Sequence, residues 1–110
     1  MLSDAEKYVV KEYMRSALNN HFDISCVAIG DIILVRRLGE DNWIPFNIGS
    51  LIHLFYHEYK RLQGEIKDKS YFLYRLGEFL AEQIYKQIRR GKNETIQQVK
   101  KEETVLPEKG

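Results

Sequence analysis

The sequence predicts an α+β fold: an amino-terminal helix, a small three-stranded antiparallel meander, two carboxy-terminal helices and a disordered tail. Three observations carry this. Apolar residues recur at helical spacing up to Asn20 and again beyond Ser50, whereas the stretch from Ile24 to Phe46 is rich in β-branched residues. The turns within that stretch are short, which favours antiparallel pairing, since a parallel crossover needs a dozen or more residues. A chain of 110 residues holds one core more readily than two; residues 1–91 are read as a single domain and 92–110 as a flexible charged tail.

The first helix opens at Ser3-Asp4-Ala5-Glu6, where the serine hydroxyl accepts from the Glu6 amide and the Glu6 carboxylate reaches back. A 100° step per residue gathers Ala5, Val9, Val10, Tyr13, Met14, Ala17 and Leu18 on one face, with Tyr8, Lys11, Glu12 and Arg15 opposite. The helix is expected to run from Asp4 to Asn20 and to stop at Asn19-Asn20-His21, whose short polar side chains compete with the helix backbone. The strands follow. Gly30-Asp31 suits a two-residue type II′ hairpin turn, or else Gly30 is a bulge in one longer strand, and the local sequence leaves both open. Leu38 to Asn42 forms the second turn, and Pro45, with no N–H to donate, makes the last strand short or places it at an edge.

The second helix is expected from a cap at Asn47 or Ser50 to a stop before Gly64, with Leu51, Ile52, Phe55, Tyr59 and Leu62 inward and His53, His57, Lys60 and Arg61 outward. The third starts near Asp68 or Ser70 and ends at Arg90-Gly91, burying Phe72, Leu73, Leu76, Phe79, Leu80, Ile84 and Ile88. Beyond Gly91 there are four aliphatic residues, no aromatic ones and a high charge density, too little for a packed element apart from one further helical turn near Glu94 to Lys101.

Chemical signatures are sparse. No phosphate loop, dinucleotide fingerprint, nucleophile elbow or Cys-x-x-Cys is present, so neither a catalytic residue nor a cofactor is expected. His53 and His57 share the four-residue spacing of helical zinc sites, but they lack a third ligand and share their face with Lys60 and Arg61, so no metal is expected. Cys26 reads as a small buried hydrophobe. As the only cysteine it forms no intramolecular disulfide, and the amino terminus lacks the pattern of a secretory signal, which together suggest a cytoplasmic setting. No apolar run approaches the roughly 18 residues of a membrane span, so no membrane partner is expected.

Lys+Arg 17 against Asp+Glu 16 leaves a net charge of +1, so any nucleic-acid contact must come from local clusters. Two exist: Lys86, Arg89, Arg90 and Lys92 within the basic 86–101 segment, and Lys7, Lys11 and Arg15 along the first helix. Solvated faces and compensation of the helix dipole account for both more simply, since no stacking strip, recognition-helix motif or high isoelectric point accompanies them. The tyrosines are the more unusual feature, because all seven fall in helical segments although this residue favours strands. Tyr71, Tyr74, Glu78 and Tyr85 lie within about 60° on the side of the third helix away from Phe72. Such a stripe either meets a partner or packs beneath another layer of the same domain, such as the first helix. Trp43, beside a turn, is a second candidate anchor. The leading expectation is a small non-catalytic interaction module, an adaptor or regulator that binds another protein or self-associates as a homodimer through the third helix. The second is a nucleic-acid-binding accessory protein using residues 86–101.

Overall fold

In a computed structural model the backbone is described for residues 2–100 and side chains through Arg89. The order is α1 (Asp4–His21), β1 (Ile24–Ile29), β2 (Ile32–Arg37), β3 (Ile44–Asn47), α2 (Ile48–Leu54), α3 (Tyr56–Glu65) and α4 (Lys69–Lys100). The class is α+β, with an antiparallel sheet in the order β1-β2-β3.

Local signals set most boundaries. Both bonds of the Ser3–Glu6 capping box form, at 2.9 and 3.1 Å, and Glu6 also pairs with Lys69 at 2.9 Å, tying the start of α1 to the start of α4. Ile29 pairs with Ile32 across Gly30-Asp31, so the hairpin is the correct alternative; only Gly30 there takes a positive φ, 58°, as the first central residue of a type II′ turn does. Pro45 sits on edge strand β3, four residues long. Asn47 caps α2 by accepting from the Ser50 amide, and Asp68 accepts from the Tyr71 amide at the start of α4.

Alternation on the strands sends Ile24, Cys26, Ile33 and Val35 inward against Val10, Met14, Leu18, Leu76, Leu80 and Ile84. On the opposite sheet face Val27 and Ile29 stand 42% and 58% exposed. α1 packs chiefly against α4 and β1. Its crossing with α4 is close at Gly77, where an added Cβ would stand 2.6 Å from Tyr13 Cβ and 3.1 Å from the Val10 carbonyl oxygen.

Four expectations need correcting. The second helix is two: the chain kinks at Phe55 (φ −106°, ψ 39°), which seats that ring edge-on to Phe79, 5.6 Å between centroids, and leaves Leu54 outside. Gly64 does not end it, because α3 continues to Glu65 with Ile66 as its cap, good helix formers outweighing the roughly 1 kcal/mol cost of glycine. The helical backbone of α4 likewise passes Gly91 and continues to Lys100 among Lys, Arg, Gln and Glu. The tail expected from Lys92 lies, beyond Lys100, outside the described residues. Lys11, expected on the solvent face, is only 7% exposed, since it lies about 20° from Leu18 around a helix covered on two sides. Among the described residues, no helix is long and apolar enough to cross a membrane.

Candidate functional site

The tyrosine stripe of α4 divides between the fold and the surface. Tyr85 is half-buried and stacks on Phe22 at the end of α1, 4.4 Å between centroids with planes 18° apart, while the Arg89 guanidinium stands 5.4 Å from its ring centre. Tyr74 meets Tyr13 of α1 edge-on at 5.2 Å and remains 37% exposed. Tyr71 stacks on Tyr74 at 6.1 Å, accepts from Arg75 at 3.3 Å and is 48% exposed. The Tyr74 hydroxyl donates to Glu78 at 2.7 Å, and that carboxylate pushes the phenol's pKa up by favouring its protonated form. The stripe therefore joins both alternatives: Tyr85 closes the packing of α1 on α4, while Tyr71 and Tyr74 keep open faces.

Beside the stripe lies a cleft of about 430 Å³ between the end of α1, α3 and α4. Ala17, Phe22, Leu62 and Phe79 supply its apolar lining. Glu58, Glu78 and Glu82 face Arg75 and His21 around them. Glu58 is held by Arg61, which keeps its carboxyl below the ordinary range despite partial desolvation, while Glu82 and Lys86 are 3.7 Å apart. Arg75 also acts on Glu58 across the cleft. Three carboxylates, each with a neighbour in Arg61, Tyr74 or Lys86, around an apolar lining suit a basic group carried on an apolar stem.

The sequence brings Glu78 and Glu82 to this flank through their four-residue spacing, but nothing local announces the cleft. Its far wall comes from Ala17, His21, Glu58 and Leu62 on other helices. The available signal was Gly77: an interior helical glycine marks the close crossing of α1 that sets one wall.

The other candidates stand apart. Trp43, 38% exposed, lies under the Arg36 guanidinium at 4.7 Å, beside the outer sheet face rather than on α4. Of the basic row on α1, Lys7 is half-buried, Lys11 is buried and Arg15 is tied to Glu12 at 2.8 Å. Arg89 leans on Tyr85, while the side chains of Arg90 and Lys92 lie outside the described residues. His53 and His57 are exposed but fall on separate helices, either side of the Phe55 kink. No group of three His, Cys, Asp or Glu side chains suited to a metal ion occurs among the described residues. Burial raises the Cys26 thiol to about 11, opposite to the shift a nucleophilic thiolate needs. None of the protein-family models, curated proteins and solved structures compared with the chain matches it, so function is read from geometry alone.

Proposed function

We propose that the chain is a small non-catalytic interaction module whose binding surface is the flank of α4 carrying Tyr71, Tyr74 and Glu78, together with the cleft beside it. The observation that supports this most is Tyr71 at 48% exposure: a large aromatic kept on the surface, stacked on a second tyrosine and accepting from Arg75, which lines the 430 Å³ cleft. Tyrosine offers wide contact area with few rotatable bonds, and aromatic anchors beside partly desolvated polar groups are the usual centres of protein interfaces. The partner is a protein that presents a lysine or arginine beside an apolar side chain. The cation faces Glu58, Glu78 and Glu82, and the apolar group reaches Leu62 and Phe79. Tyr85 contributes by holding α1 against α4 rather than by contact.

A photo-crosslinking amino acid placed in turn at Tyr71, at Glu82 and at the control position Lys60 tests this in the cells that make the protein. Lys60 is exposed and lies about 200° around α3 from Glu58. One defined protein should be captured from positions 71 and 82 and not from 60. Equal capture from all three, or none from 71 and 82, overturns the reading.

A further inference from the structure

Sheet edges expose unpaired backbone groups, and the two edges here differ. β3 is four residues long and carries Pro45, a residue that blunts an edge. β1, Ile-Ser-Cys-Val-Ala-Ile, is six residues long, with no charge, no proline and no bulge, and among the described residues it pairs with β2 alone. The two-residue turn makes Ile29–Ile32 a hydrogen-bonded pair, so alternation turns the N–H and C=O groups of Ile24, Cys26 and Ala28 toward the free edge. α1 packs against β1, and its ion pair Glu12–Arg15 lies near the middle of that strand, both members acting electrostatically on Cys26.

We propose that β1 pairs antiparallel with β1 of a second copy about a two-fold axis at Cys26, giving a continuous six-stranded sheet. Centred there, the register places Ile24 opposite Ala28 of the other copy and Cys26 opposite Cys26, so all three outward-facing residues find backbone partners. A two-fold also sets Glu12 beside the second copy's Arg15 and Arg15 beside its Glu12, so the charged flank is complementary to itself. The exposed Val27 faces of the two sheets become contiguous. Both α4 flanks stay free, so this dimer presents the proposed binding surface twice and stands or falls independently of it.

Sedimentation velocity over a concentration series tests the pairing. The parent should be a dimer. Glu12→Arg, which sets four arginines around the axis, should weaken the dimer at least tenfold, and the swap Glu12→Arg with Arg15→Glu should restore it. Ala28→Pro removes an outward donor without touching the β1–β2 ladder and should give a folded monomer by circular dichroism; if that variant fails to fold, the charge series decides. A parent that is monomeric at every soluble concentration overturns the proposal. So does a dimer indifferent to Glu12→Arg, or one that the swap fails to restore.

Discussion

Substituting Gly77 by alanine perturbs the molecule at its closest helix crossing. The new Cβ would stand 2.6 Å from Tyr13 Cβ and 3.1 Å from the Val10 carbonyl oxygen, whereas carbon atoms rest about 3.5–4.0 Å apart. Neither neighbour is the far end of a flexible side chain, so α1 itself must retreat by about 1 Å, loosening the packing of Val10 and Met14 on Leu80. Overpacking of this kind costs about 2–3 kcal/mol at the rigid end of its range, and the better helix propensity of alanine offsets about 1 kcal/mol, leaving a net loss of about 1–2 kcal/mol. Gly64, also helical, has nothing within 4 Å of an added Cβ, so Gly64→Ala should instead stabilise by about 0.5–1 kcal/mol. Urea denaturation followed by circular dichroism at matched slopes measures both. The two midpoints should move in opposite directions. A Gly77→Ala variant as stable as the parent, or more so, would refute backbone contact between α1 and α4.

Other consequences follow from the caps and the core. Glu6 is held below its ordinary pKa, first by the Ser3 backbone bond and then by Lys69, so its contribution is present above the unfolded carboxyl range and is lost as pH falls through the lower folded value. Glu6→Gln, which removes the charge that accepts from the Ser3 amide and pairs with Lys69, should lower Tm at pH 7 and change it less at pH 3; an equal drop at both would contradict the role of the carboxylate in the cap. Cys26 should resist iodoacetamide at pH 8 while the protein is folded and react on unfolding, because the residue is 8% exposed and burial raises its thiol to about 11; native reaction at the rate of a free thiol counts against that burial. Arg36→Ala should shift Trp43 emission to the red and increase its quenching by acrylamide, since the guanidinium now shields the indole at 4.7 Å; unchanged quenching would mean that the pair is not formed.

Features written within three or four residues were legible in the sequence. The Ser3–Glu6 box and the Pro45 edge depend on neighbours in the chain and lie where the pattern placed them, while at Gly30-Asp31 and at Asp68 the pattern offered two alternatives each, of which the structure takes the hairpin and the Asp68 cap. What the sequence concealed depends on distant partners. The Phe55 kink answers to Phe79, the burial of Lys11 to a second layer over α1, and the loss of Tyr85 from the surface to Phe22, 63 positions away in the chain (85 − 22). The same holds for the site: the α4 stripe and its glutamates are periodic and readable, whereas the cleft exists only once α1 and α3 dock beside them. Glycine is ambiguous in the same way, since Gly64 and Gly77 look alike in sequence and differ only in what stands over them.

The binding surface is tested most directly by calorimetric titration of the crosslinked partner, purified, against the parent and against Tyr71→Ala. The described ring and hydrogen-bond contacts of the Tyr71 side chain are with Tyr74 and Arg75 of its own helix, and the cap from Asp68 uses the Tyr71 backbone, so truncation to alanine should leave Tm nearly unchanged. Kd should rise at least tenfold, the loss of about 1.4 kcal/mol or more that an interface anchor carries. A Kd within twofold of the parent, at unchanged Tm, would contradict that role.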